Sequence, residues 1–169
     1  ENLLRWTRNQ NGKTKIYATL FNLTPVARQV VSLFSAIANA KEIELINRIE
    51  GKFDIFADED MIKTVLRNLI SNAIKFTYTG GQVELSLADS GDYWTIYVKD
   101  NGKGIPKDLQ AHLLKSDEYI TTYGTHNEKG SGLGLILCRD FIRMNKGKLH
   151  FYSQEGIGTT FYFTIPKAS

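Results

Sequence analysis

The sequence predicts a single α/β domain in which amphipathic helices alternate with strand pairs, and three observations carry that reading. From Asp58 to Thr77 the apolar residues Ile62, Val65, Leu66, Leu69, Ala73 and Phe76 recur at helical spacing. Val83, Leu85 and Leu87, then Trp94, Ile96 and Val98, alternate as two neighbouring strands do. A chain of 169 residues is also long enough to bury roughly two thirds of its unfolded surface without staples. Its one cysteine, Cys138, lies in an apolar run and reads as a small buried side chain. The net charge of +3 is spread over 21 basic and 18 acidic residues without a like-charged block, so neither nucleic acid nor a membrane surface is an expected partner. No stretch is long and apolar enough for a membrane span, and the domain is expected in the cytoplasm.

Taken in order, residues 1–10 read as the tail of a helix that Asn11-Gly12 ends. A strand is expected over Ile16 to Leu23. Thr24-Pro25 then reads as a cap and first turn, opening a helix to about Ala40 whose buried stripe is Val26, Val30, Leu33, Phe34 and Ile37. Two short strands follow, near Ile43 to Ile49 and Asp54 to Ala57. The next helix carries Asp58, Glu59 and Asp60 at its dipole-favoured start. Along the border of its apolar face runs a second stripe, Asn68, Asn72 and Lys75, which aims two amides and a cation at something polar. Ile74 falls on the outward side, where a docking surface for further helices is expected.

The second strand of the central pair ends in Asp100-Asn-Gly-Lys-Gly-Ile-Pro. Such an end is ordinarily a turn, but its glycines also let backbone approach a flat ligand, and an ionised Asp100 can only accept hydrogen bonds. An exocyclic amino group suits it, so adenine is preferred over guanine, which presents a carbonyl there. A short helix over about Pro106 to Leu114 leads into a long aperiodic stretch, Lys115 to Lys129, expected as a lid or binding loop. Gly130-Ser-Gly-Leu-Gly-Leu then opens a helix ending near Asn145 to Gly147, and helix-opening glycines leave backbone N–H groups where phosphates can sit. This is neither a Walker loop nor a clean dinucleotide fingerprint. Two closing strands, about Lys148 to Ser153 and Thr160 to Ile165, flank Gly156-Ile-Gly-Thr.

The order of these motifs resembles the catalytic, ATP-binding domain of bacterial sensor histidine kinases, within the superfamily of gyrase B, the ninety-kilodalton heat-shock chaperone and MutL. Asn68-Leu-Ile-Ser-Asn72-Ala-Ile-Lys75 is similar to the N box, and Asp100 to Ile105 to the first glycine box. Gly130 to Leu135 is similar to the second, and Gly156 to Thr159 to the last. The resemblance implies a two-layer α/β sandwich, the Bergerat fold, with a mixed sheet covered on one face by three main helices. It implies ATP and Mg²⁺ as cofactors, with Asn72 as metal ligand, Asn68 as its helper and Lys75 on phosphate. Asp100 would read adenine with support from Thr159, while Gly102, Gly104 and Ile105 line the base pocket and Lys129, Gly130, Gly132, Leu133 and Gly134 meet phosphates.

By the same resemblance, residues 1–12 are the end of a dimerisation helix and residues 13–169 the catalytic domain. The phosphoacceptor His is then expected upstream, because His112, His126 and His150 stand in no His-Asp or His-Glu helix. Expected partners are the dimerisation and histidine phosphotransfer domain of the same protein and a response regulator receiver domain. The parent protein would be a homodimer, anchored in the inner membrane or not, and the present chain alone a monomer. Where hydrolytic relatives carry a Glu, Asn68 has an amide that cannot activate water. The lid has Tyr119 and Tyr123 in place of a Phe-rich box and no Arg. Besides the kinase, a hydrolytic ATPase module and a non-catalytic nucleotide-sensing domain stay open.

Overall fold

In the computed structural model, which describes residues 15–114 and 133–167, the chain begins with β1 (Thr19–Asn22), α1 (Leu23–Ala40), β2 (Glu44–Asn47) and β3 (Asp54–Ala57). It continues through α2 (Glu59–Phe76), β4 (Gln82–Asp89), β5 (Tyr93–Asp100) and the single turn α3 (Lys107–Gln110). It closes with α4 (Leu133–Met144), β6 (Leu149–Gln154) and β7 (Gly158–Pro166). A five-stranded sheet runs β2-β4-β5-β7-β6, while β1 and β3 form a separate antiparallel pair. Only the β2/β4 pairing is parallel, so the main sheet is mixed. The three long helices pack on one face, giving the expected two-layer sandwich. No helix among the described residues is long and apolar enough to cross a membrane. The tail expected over residues 1–12, and with it the proposed domain boundary, lies outside the described residues.

Strand alternation sets the core. Leu85 pairs with Val98 and Leu87 with Ile96, and Phe161, Phe163 and Ile165 continue the inward face on β7. Against it lie Ile62, Leu66, Leu69 and Ile70 of α2 and Leu137, Phe141 and Ile142 of α4, all buried. Cys138 is fully buried among them and its thiol is pushed up to about 12 by that burial, as its place in an apolar run implies.

Several local expectations are corrected. The first strand starts at Thr19, where its pairing with Ala57 of β3 begins, and Ile16 and Tyr17 stand exposed outside it. The cap of α1 is Asn22, not Thr24: its side-chain oxygen accepts from Thr24 N–H at 3.2 Å and from Phe53 N–H at 3.0 Å, so the helix starts before Pro25. Leu33 and Ile37 are 57% and 56% exposed rather than buried. The burial of α1 runs instead through Leu23, Val26, Ala27, Val30 and Ala38. Ile74 is not outward-facing; at 3% exposure it belongs to the core, because α1 packs along that side of α2.

A buried cation closes the same junction. Lys41, just past α1, is 7% exposed and its Nζ donates to the carbonyls of Ile74 and Lys75, each at 2.9 Å. Those carbonyls belong to the last turn of α2, the negative end of its dipole. Replacing Lys41 by Met should cost about 2 kcal/mol, the range of charge-assisted bonds to a helix end, measured as a lower urea midpoint with an unchanged slope.

Candidate functional site

Helices α2 and α4 run antiparallel, as their contacts show. At one end Asp58 N–H donates to Asn145 Oδ1 at 2.7 Å, and midway Cys138 Sγ meets the Val65 carbonyl at 3.8 Å. At the other end a Cβ placed on Gly134 would lie 3.5 Å from Asn68 Oδ1. The first end is locked: Asp58 caps α2 through Met61 N–H at 3.1 Å, also accepts from Tyr17 N–H at 3.0 Å, and Asn145 Nδ2 donates to Phe141 O at 2.7 Å. The second end opens into a cavity of about 250 Å³.

The cavity collects most of the polar residues singled out in the sequence. Asn68, Asn72 and Lys75 line it from α2, Asp100 from the end of β5, Gly104 and Ile105 from the following loop, Gly134 from α4 and Thr159 from β7. Gly102 does not line it. Its amide donates to Asp100 Oδ1 at 2.9 Å, and a Cβ there would overlap the Phe76 carbonyl, so its place is in the seam between β5 and α2. Leu133 opens α4, and its side chain lies outside the described residues, as do Lys129, Gly130, Gly132, Tyr119, Tyr123 and the whole expected lid.

Sequence reasoning missed the apolar walls, which come from Pro106, Leu109, Leu113, Leu135 and Phe161, with Phe76 diverted from the core to the cavity. Their signal was ordinary core periodicity, which cannot separate a residue facing a core from one facing a cavity. Lys103, which also lines the site, puts Nζ 5.2 Å from the Phe76 ring centroid, and Lys75 lies 6.0 Å from it on the same ring. The cavity lining therefore combines two cations and two side-chain amides with a buried carboxylate and apolar walls.

That carboxylate is perturbed. Burial pushes Asp100 up from its ordinary 3.8 to about 6, although N–H groups of Gly102 at 2.9 Å and Thr159 at 3.2 Å pull the other way. Protein donors therefore do not fully compensate its desolvation, and a further donor from a ligand would. Among the described residues no three His, Cys, Asp or Glu side chains gather to hold a metal. The donors at hand, the amides of Asn68 and Asn72, fit a hard cation that keeps waters and takes phosphate oxygens, and do not fit a metal needing three or four protein ligands.

Comparison with known proteins gives a consistent family. Residues 57–169 match the model of the histidine kinase-, DNA gyrase B- and HSP90-like ATPases. The adaptive-response sensory kinase SasA of Crocosphaera subtropica is 30% identical over 166 residues, covering 97% of this chain and 43% of the relative. The chain thus spans less than half the length of that curated relative. The nucleotide-free catalytic domain of histidine kinase ThkA superposes with a TM-score of 0.75 at 31% identity, over 89% of this chain and 96% of that one. ThkA in complex with the response regulator protein TrrA gives 0.76 at 26% identity, over 98% of this chain and 47% of that one. Full-length ShkA in complex with AMPPNP gives 0.82 at 27% identity, over 99% of this chain and 35% of that one.

The pH response of the site follows from Asp100. Its folded pKa lies above the ordinary value, so the ligand-free folded chain binds this proton more tightly than the unfolded chain between about pH 6 and 4. Stability therefore rises as pH falls through about 6, and above it the carboxylate costs about 3 kcal/mol. Asp100→Asn keeps an oxygen for both amides. It should melt higher than the parent at pH 7.5, with the difference shrinking toward pH 4.5 in calorimetric scans.

Proposed function

The chain belongs to the histidine kinase-, DNA gyrase B- and HSP90-like ATPase family, and on that premise we propose that it binds Mg-ATP and transfers the γ-phosphoryl group to a His of its own protein's dimerisation domain. The carrying observation is that one cavity is lined both by a buried acceptor with apolar walls and by amides and lysines. Adenine fits the first and a triphosphate the second. Asp100 accepts from the adenine amino group, while Ile105, Leu135 and Phe161 enclose the ring. Lys75, Lys103 and the N-terminal backbone of α4 take phosphate charge, joined by Lys129, Gly130 and Gly132. Gly134 supports this placement, since its nearest protein neighbour would allow a Cβ ordinary contact.

Asn72, assisted by Asn68, would hold Mg²⁺, which when bound neutralises phosphate oxygens. Transfer breaks the bond between the γ-phosphorus and the β,γ-bridging oxygen, forms a bond from phosphorus to an imidazole nitrogen, releases ADP and frees the imidazole proton. Such chemistry depends on positioning and charge neutralisation more than on a protein nucleophile. Asn68 favours transfer over hydrolysis because an amide is no general base for water. The phosphoryl group then passes to a response regulator, a role supported by the relatives' naming as sensory kinases and by ThkA's complex with TrrA.

Mixing the chain with a dimerisation domain that carries its His, in the presence of Mg-ATP, should give acid-labile, base-stable phosphohistidine. Asn72→Ala should lower the rate by about 100-fold or more, a loss typical of removing electrostatic support from a transition state. Steady phosphate release by the parent chain alone, without phosphohistidine on the added domain, would contradict the transfer reading.

A further inference from the structure

Behind the buried carboxylate sits a hydroxyl that does not line the cavity. Ser153 on β6 stands opposite Thr159 on β7, and its Oγ has three polar neighbours. The Ile105 N–H donates to it at 2.9 Å, the Gly158 carbonyl lies at 3.2 Å, and Thr159 Oγ1 lies at 2.8 Å. A serine hydroxyl has one proton and two lone pairs. The amide can only donate and the carbonyl can only accept, so one arrangement makes all three contacts hydrogen bonds: Ser153 donates to Gly158 O and accepts from both Ile105 N–H and Thr159 O–H.

That arrangement decides what Thr159 shows the cavity. Its hydroxyl proton is spent on Ser153 and its backbone N–H on Asp100 Oδ1 at 3.2 Å, leaving only lone pairs on Oγ1. The neighbouring Asp100 carboxylate also accepts. A ligand edge meeting this corner must therefore donate. An exocyclic amino group does so, whereas a carbonyl oxygen at the same ring position sets lone pair against lone pair.

We propose that Ser153 is a specificity-determining positioning residue, which, by taking the Thr159 hydroxyl proton, turns the base corner into an all-acceptor edge that rejects 6-oxopurine nucleotides. The inference rests on the nucleotide reading of the cavity. Ser153 also tethers the loop bearing Ile105, a loop secured again by Gln110 Nε2 donating to Ile105 O at 2.7 Å and Ser153 O at 3.3 Å. The test must therefore separate hydroxyl polarity from anchoring.

ATP and ITP differ at this edge, and their dissociation constants can be measured by calorimetry on folded parent and variants. In Ser153→Ala the freed Thr159 hydroxyl can donate to a carbonyl, so the preference for ATP over ITP should narrow by about tenfold, the discrimination carried by one misdirected hydrogen bond. Ser153→Thr, which keeps a hydroxyl, should retain the parent ratio. Ser153→Cys, of nearly the same shape, should move the ratio as Ala does and serves if the Ala variant does not fold. In a Thr159→Val background, Ser153→Ala should leave the ratio unchanged. Equal weakening of both nucleotides in Ser153→Ala, or an undiminished change of ratio in the Thr159→Val background, would overturn the proposal. A parent that binds neither nucleotide would overturn the reading of the cavity as well, which distinguishes the two failures.

Discussion

The site depends on the close approach of three backbone segments at the end of β5. Gly102 lies against the last carbonyl of α2 where a Cβ would overlap it, and Gly104, with φ of +70°, lies as closely against Gln154 of the β6–β7 hairpin. These contacts, with Gly156 N–H donating to Lys103 O at 2.7 Å and Lys103 N–H to Phe76 O at 3.0 Å, fasten the loop on both sides. Asp100 is thereby enclosed and served by two backbone amides, yet remains under-compensated. The cost falls on the ligand-free chain and would be relieved by a bound donor, the usual relation between a strained site and its function.

The rest of the molecule holds that junction in place. Antiparallel packing of α2 on α4 sets Asn68 beneath Gly134, and the far end is fixed by the network of Asp58, Asn145 and Tyr17 N–H. Lys41 clamps the C-terminal turn of α2, the turn that carries Lys75 and Phe76 into the cavity. Helix packing, helix capping and the site thus share residues. A change at Lys41 or Asn145 would be felt first as lost stability, because neither lines the cavity.

Much of this was legible in the residues. Alternation along Val83 to Leu87 and Trp94 to Val98 predicts the paired strands, and the stripe Asn68, Asn72, Lys75 predicts a polar wall because three polar residues border an apolar face without a packing reason. What the residues left open has physical causes. Periodicity marks a helix's apolar side but not which neighbour meets it, so Leu33 and Ile37 fit the stripe of α1 yet stand exposed, and Ile74 falls outside the stripe of α2 yet is buried where α1 covers it. Gly102 belongs to the motif but acts through a tertiary contact with Phe76 that no local pattern contains. Ser153 gave no signal, being one polar residue in a strand whose partner, Thr159, is identified only by register.

The central claim is that adenine sits at the corner formed by Asp100, Gly104, Ile105 and Thr159. Backbone amide resonances followed during titration with Mg-ATP test it most directly. The account expects the largest shifts at Gly102, Gly104 and Thr159, with smaller ones at Lys75 and Gly134, and the loss of those shifts in Asp100→Asn at the same nucleotide concentration. Saturable shifts centred elsewhere, or an Asp100→Asn chain that shifts as the parent does, would contradict it.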